Sequence, residues 1–256
     1  MHMERDDPFR IWAPLVGSTI FVCLLSTIRL PLLLLLPVLA AMTYLMQVQI
    51  FRNRSLARSF WLTTYLKHDS PIREILDGSV FLHWLAVLIA IPLACITYVT
   101  VFGYSLFDCI LVSVAVFTAR GIHKHLSAPI DRNLSENLVE LAHLRIYYWL
   151  AISFVIAALA ISSLAEGMLA DYSTITSDQI ATKTVDSIKH PVTIVQHCAR
   201  TLKYSELQLL RIRDINGWPW GWLIYFFFLV PNVLPAFGLV TMYAGLQQTI
   251  EEIAQE

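Results

Sequence analysis

Long apolar runs separated by polar connections dominate the pattern of hydrophobic positions along this chain. A helix that crosses the roughly 30 Å hydrocarbon layer of a bilayer needs about 20 apolar residues, and six stretches meet that requirement. We therefore predict an all-α fold, a polytopic transmembrane helical bundle in which residues 1–256 form a single integral membrane domain. The six predicted spans cover residues 11–28, 31–51, 79–102, 105–124, 146–170 and 220–246.

The first two spans follow each other almost without a break. A single helix over residues 11–51 would overshoot the bilayer and would bury Arg29 in hydrocarbon, at a cost of at least about 2.5 kcal/mol. A hairpin places Arg29 at the membrane surface instead, with Pro31 in the first turn of the second helix, where proline is tolerated. We predict the hairpin, and a re-entrant pair of segments is the alternative.

The loop after the second span contains a further helical pattern. Its large apolar residues recur at helical spacing, and basic residues occupy other positions. This pattern predicts an amphipathic cytoplasmic helix that lies on the inner leaflet. Such a helix could bind a cytoplasmic partner through Arg54, Arg58 and Trp61, or it could serve only as a connector at the membrane surface. The apolar positions are Leu56, Phe60, Trp61, Tyr65 and Leu66.

Two other polar segments carry helical signals. Asn133, followed three residues later by Glu136, resembles a capping box and predicts a helix that runs directly into the fifth span. In the long loop 171–217, the apolar residues between Val192 and Arg211 are compatible with an amphipathic helix. We predict that this loop forms an outer helical cap on the bundle.

Composition supports a membrane protein and excludes nucleic-acid binding. Hydrophobic residues make up 57% of the chain and charged residues 14%, whereas soluble domains carry roughly 25% charged residues. The net charge of −1 lacks the basic excess that binding to nucleic-acid phosphates requires. The chain is therefore predicted to be embedded in lipid and not to bind nucleic acid.

The distribution of basic residues predicts the orientation of the chain. Two loops hold nine of the 18 basic residues, and positively charged loops remain in the cytoplasm. Both termini are then inside, in a cell inner (plasma) membrane, although loop 171–217 also carries basic residues and weakens the rule. The basic residues of the two loops are Arg52, Arg54, Arg58, Lys67, Arg73, Arg120, Lys124, Arg132 and Arg145.

Ionisable and polar residues within the spans are the candidate functional sites, because each costs free energy in a bilayer. Arg29, Asp108 and Glu166 are all predicted near the outer interface, where they could form an ion or substrate entry site or could lock helix ends together. Asn232 lies between Pro231 and Pro235. The two prolines lack backbone N–H donors and interrupt the helix, and the carbonyls left without a donor can bind a cation or a substrate. Neighbouring helices can also satisfy those carbonyls without any functional role.

The sequence contains no motif for nucleotide binding, zinc-dependent proteolysis or serine hydrolysis. The histidines are poorly spaced for a metal, since His190 and His197 would lie about 10 Å apart along a helix. We therefore predict no enzymatic activity, no metal and no cofactor.

Because the sequence contains no such catalytic motif or metal site, we favour a structural role. We predict an integral membrane subunit that anchors or scaffolds a multi-protein complex, such as a secretion or conjugation assembly, or that partners a cytoplasmic effector. Its predicted partners are the lipid bilayer, other membrane or cytoplasmic subunits and a second copy of the chain. Two alternatives remain: the permease subunit of a transporter that works with a separate ATPase, and an oligomeric ion channel whose pore is lined by Asn232.

Overall fold

The computed structural model describes residues 8–65, 79–134, 136–169, 172–217, 219–221, 223 and 233–253. Within these ranges the regular structure is entirely helical and no strand occurs, which confirms the all-α prediction. The helices are α1 (Pro8–Thr27), α2 (Leu32–Tyr65), α3 (Ser79–Phe102), α4 (Leu106–Asn133), α5 (Glu136–Leu169), α6 (Ser177–Ser187), α7 (Thr193–Asn216) and α8 (Val233–Ile253).

Four of these helices are long and apolar enough to cross a membrane, as expected for a membrane-embedded protein. They lie in α2, α3, α4 and α5 and cover Leu32–Leu62, Val80–Phe102, Leu106–Asn133 and Leu138–Ser162. The described apolar part of α8, Val233–Leu246, is shorter than a span, and residues 224–232 lie outside the described ranges. Six spans and a single membrane domain therefore stay predictions.

Helix α8 lies in the middle of the bundle and contacts α1, α2, α3 and α5. The sequence permits this position because α8 carries small residues where its neighbours approach most closely. Gly238 faces Thr97 of α3, and Gly245 faces the backbone of Leu45 in α2. Tyr243 is fully buried, and its hydroxyl lies 2.9 Å from the hydroxyl of Ser113 in α4. Two hairpins, α2–α3 and α4–α5, pack around this centre.

Helix α2 continues without interruption through the residues for which we predicted a separate surface helix. It runs from Leu32 to Tyr65 as one element, because neither glycine nor proline occurs between Phe51 and Tyr65 to end it. The predicted amphipathic helix on the inner leaflet is therefore wrong as a separate element. Leu66, which we included in it, lies outside the described residues.

The connection between α4 and α5 also differs in detail from the prediction. Helix α4 continues to Asn133, whose side-chain amide donates a hydrogen bond to the carbonyl of Pro129. Asn133 therefore ends α4 and is not the N-cap of α5. Helix α5 nevertheless begins at Glu136 and runs to Leu169, which confirms a helix that continues into the fifth predicted span.

Helices α6 and α7 pack against each other around a small core of their own. Tyr172, Ile180, Leu207 and Leu210 form this core. Val195 near the start of α7 belongs to the main core of the bundle, and α7 contacts α3. The segment is thus attached to the bundle through α3, while its location outside the cell stays a prediction.

Candidate functional site

The candidate residues that the structure describes lie at two ends of the bundle. The cap end contains the α1–α2 connection (28–31), the α3–α4 turn (103–105) and helices α6 and α7. The opposite end, which we call the stalk, is formed by residues 52–65 of α2, 123–134 at the end of α4 and 136–143 of α5. The candidate residues Arg29 and Asp108 lie at the cap end, and Arg54, Arg58 and Trp61 lie in the stalk.

Asp108 caps the first turn of α4. Its Oδ2 accepts hydrogen bonds from the backbone N–H of Ser105 at 2.7 Å and from the Ser105 hydroxyl at 2.8 Å. The Asp108 N–H in turn donates to Ser105 Oγ at 3.2 Å, which completes a capping box. The hydroxyl of Ser162 in α5 donates to Oδ1. This carboxylate therefore ties the beginning of α4 to the end of α5.

The predicted group of three outer charges is not assembled among the described side chains. Arg29 is exposed in the α1–α2 connection, and no ion pair joins it to Asp108 within the part of the chain that the structure describes. Glu166 lies in α5, but its side chain is outside the described part. Asn232 is also outside the described residues.

His190 joins the α6–α7 segment to α3 and is the most fully engaged histidine at the cap end. Its Nδ1 accepts a hydrogen bond from the Val192 N–H at 3.0 Å, and its Nε2 lies 3.1 Å from the hydroxyl of Tyr98. Since Nδ1 acts as an acceptor, Nε2 carries the proton and donates it to Tyr98. The edge of the imidazole also packs against Phe102, with ring centroids 4.7 Å apart. His190 is therefore uncharged and connects the α6–α7 segment to α3.

Because these contacts need a neutral His190, we predict that the attachment of α6–α7 to α3 weakens in acid. Burial, aided by the nearby Arg29 guanidinium, lowers the pKa of His190 below its usual value near 6.5. The unfolded chain then binds more protons, so the contribution of His190 to stability is complete above about pH 6.5 and is lost as the pH falls toward the lower pKa of the folded state. We expect thermal unfolding in detergent to shift down between about pH 7.5 and about pH 5.5.

The matched variants are His190→Gln, which keeps an N–H donor for Tyr98 but does not titrate, and His197→Gln at an exposed position of α7. His190→Gln should flatten the pH dependence, whereas His197→Gln should leave it unchanged. If thermal unfolding of His190→Gln depends on pH as strongly as that of the wild type, protonation of His190 does not weaken this attachment.

The stalk contains the three remaining candidate residues. Arg54, Arg58 and Trp61 lie on α2 together with Tyr65, at intervals of four, three and four residues. Residues at this spacing share one face of a helix. Arg52, outside this face, pairs with Glu140 of α5 at 3.1 Å. That contact fixes the beginning of the projecting part of α2 against its neighbour.

A polar cluster that the sequence analysis did not predict joins α4 to α5 in the stalk. Asp131 Oδ1 lies 2.8 Å from His143 Nε2, and His143 Nδ1 lies 3.3 Å from His123 Nε2. A chain of hydrogen bonds therefore runs from the carboxylate through both imidazoles. Within the ranges described, no group of three histidine, cysteine or acidic side chains could hold a metal ion, and the cluster acts as a clamp between the two helices.

Comparison with protein-family models, with curated proteins and with solved structures finds no match to this chain.

Proposed function

We propose that this protein is an integral membrane subunit that anchors a multi-protein complex, with both termini and the stalk in the cytoplasm. The orientation follows from the basic residues of the two connections at the stalk end, because positively charged loops stay inside. The observation that carries the proposal is the length of α2 and α5, which each run for 34 residues without a break, more than a bilayer requires.

The length of α2 supports a projection of this kind. Its 34 residues give a helix of about 51 Å at about 1.5 Å per residue, whereas the hydrocarbon layer is about 30 Å thick. About 20 Å of the helix therefore extends past the apolar layer. Helix α5 has the same length, and Arg52 of α2 pairs with Glu140 of α5. The projecting helices are thus tied together and can hold a partner at a fixed height above the membrane.

The centre of the bundle favours an anchor over a transporter. A permease that alternates between two states must slide or rock its helices against each other. Here the central helix α8 approaches two neighbours through Gly238 and Gly245 so closely that no β-carbon fits between them. Gln49 of α2 is buried and donates hydrogen bonds to Gln248 of α8 at 2.6 Å and to the carbonyl of Ala244 at 3.3 Å. If α8 slid against its neighbours, the close glycine contacts and these hydrogen bonds would all be lost at the same time.

Site-specific photo-crosslinking in the native membrane tests the anchor function. A photoreactive residue replaces Tyr65 at the tip of α2 or Leu134 at the end of α4, both of which are exposed. The control replaces Trp149, which is 72% exposed on the part of α5 predicted to face lipid. We expect discrete protein adducts from the two stalk positions and none from the control.

The absence of protein adducts at both stalk positions would contradict the anchor function. Recovery of a nucleotide-hydrolysing protein at the stalk, together with substrate transport that needs both proteins, would replace it with the permease alternative. The channel alternative would require ion flux through the purified chain in liposomes.

A further inference from the structure

One face of the projecting part of α2 combines two arginines with two large aromatic side chains. We call this face, formed by Arg54, Arg58, Trp61 and Tyr65, the basic-aromatic face. Trp61 is 57% exposed and Tyr65 is 67% exposed. Their rings stack with centroids 4.6 Å apart and an interplanar angle of 22°. The two rings therefore form a flat apolar shelf next to two positive charges.

Both arginines of the basic-aromatic face are unpaired among the described residues. Within the described part of the chain, neither Arg54 nor Arg58 makes a hydrogen bond or an ion pair, in contrast to Arg52, which pairs with Glu140. Tryptophan, tyrosine and arginine are the side chains most enriched at the energetically dominant positions of protein interfaces. A face with all three side-chain types, whose arginines are unpaired among the described residues, has the composition of a binding surface.

The distance of the basic-aromatic face from the bilayer decides whether this face binds lipid or a protein. The sequence-predicted span 31–51 is already long enough to cross the hydrocarbon, and with that span in the bilayer Trp61 lies about 15 Å and Tyr65 about 21 Å beyond Phe51 along the axis, at about 1.5 Å per residue. The headgroup layer on each side is only about 5–8 Å thick. A typical tilt of about 20° shortens these heights by only a small fraction. The aromatic shelf is therefore above the lipid headgroups.

We infer that the basic-aromatic face binds an acidic amphipathic helix of a partner protein, an inference that rests on the proposed anchor function. Arg54 and Arg58 are about 6 Å apart along the axis, which is also the separation of two carboxylates four residues apart on a facing helix. Each arginine can bind a carboxylate through two parallel hydrogen bonds. Apolar side chains one and two turns further along the partner helix then cover the shelf of Trp61 and Tyr65.

The direct test measures binding of a defined peptide to the full-length protein in nanodiscs of zwitterionic lipid. The probe is a fluorescein-labelled helical peptide of about 18 residues, roughly five turns, with two glutamates four residues apart followed by leucines on the same face. A peptide of identical composition but scrambled order is the control. Fluorescence anisotropy should report binding of the ordered peptide only, and added salt should weaken that binding.

Charge reversal locates the binding surface. The double variant Arg54→Glu/Arg58→Glu should weaken peptide binding at least about tenfold, and a peptide with lysines in place of both glutamates should bind this variant better than it binds the wild type. The matched control, Arg132→Glu/Arg145→Glu, reverses two exposed charges of α4 and α5 near the same end and should not alter binding. Trp61→Ala/Tyr65→Ala should also weaken it, and circular dichroism verifies that every variant retains its helix content.

Three results would overturn the inference. These are equal binding of the peptide to wild type and to Arg54→Glu/Arg58→Glu, equal binding of the scrambled peptide, and burial of a spin label at residue 65 among the headgroups of nanodiscs with anionic lipid. The last result would identify the membrane as the occupant. If crosslinks at Leu134 persist while the peptide fails to bind, the anchor function stands and only this docking surface is wrong. If no crosslinks to protein form at the stalk, both proposals fail.

Discussion

Gly245→Ala is expected to lower the free energy of unfolding by about 3 kcal/mol, at the upper end of typical overpacking effects. A β-carbon at this position would lie 2.9 Å from the carbonyl carbon of Leu45 in α2. The obstructing atoms belong to the backbone of a neighbouring helix and cannot move aside by a rotation about a side-chain bond. The added methyl group must therefore push α8 away from α2 along the contact that holds the centre of the bundle together.

Gly238→Ala provides a matched substitution on the same helix, with a different kind of obstacle. Its β-carbon would overlap the hydroxyl of Thr97 in α3, a side chain that truncation can remove. Among the described residues the buried Thr97 hydroxyl has no hydrogen-bond partner, so Thr97→Ala removes a polar atom that makes no bond there. We expect about 1–2 kcal/mol of destabilisation from Gly238→Ala and substantial recovery in Thr97→Ala/Gly238→Ala.

Unfolding in mixed detergent micelles, followed by circular dichroism, measures both effects. Recovery should be specific, because Thr97→Ala does not relieve the contact between Gly245 and Leu45. Equal stability of Gly245→Ala and wild type would mean that α2 and α8 are not packed as closely as the structure places them. Equal stability of Gly238→Ala and Thr97→Ala/Gly238→Ala would instead remove Thr97 as the obstacle.

Apolar runs were sufficient to predict the helices because a bilayer imposes the same requirement on every span. Backbone hydrogen bonds in hydrocarbon must be satisfied within the segment, so a long apolar stretch has few alternatives to a helix. The end of a helix outside the membrane is subject to no such requirement. The composition becomes basic from Arg52 onward, and α2 nevertheless continues to Tyr65. The sequence signal for this continuity was the lack of glycine and proline in the interval.

The central position of α8 could not be predicted from its own sequence. Its glycines at 238 and 245 are seven residues apart, two turns along one face, whereas the familiar small-residue motif in membranes has a spacing of four. Which helix lies in the middle also depends on contacts between segments far apart in the chain. The same applies to Asp131 and His143, which are brought together only by the hairpin of α4 and α5.

Asp108 illustrates a site residue that local sequence alone could have explained. A serine three residues before an aspartate, just ahead of an apolar run, is the pattern of a capping box, and Ser105 and Asp108 form one. Asp108 lies in the first turn of α4, and the pattern indicates that the carboxylate serves its own helix. Its bond to Ser162 is a tertiary contact that no local pattern contains.

Asp108→Ala is expected to destabilise the protein by about 2–3 kcal/mol. Loss of an N-terminal cap costs about 0.5–2 kcal/mol, and hydrogen bonds to a charged acceptor contribute more than neutral ones. The substitution leaves the Ser105 N–H and the Ser162 hydroxyl without their acceptor. It also removes a negative charge from the first turn of α4, where the helix dipole favours one. Thermal unfolding in detergent gives the magnitude, and Ser162→Ala isolates the contribution of the contact with α5.

Asp108→Asn distinguishes this structural role from the ion entry site that the sequence also permitted. The amide keeps one oxygen acceptor but loses the charge and the second acceptor, so its stability should lie between those of wild type and Asp108→Ala. If Asp108 only caps α4, Asp108→Asn leaves any ion flux in liposomes unchanged after correction for the fraction of folded protein. A loss of flux at full stability would show that the charge acts on a permeating ion. It would then favour a channel over an anchor, because a capping carboxylate has no reason to affect conduction in a protein that remains folded.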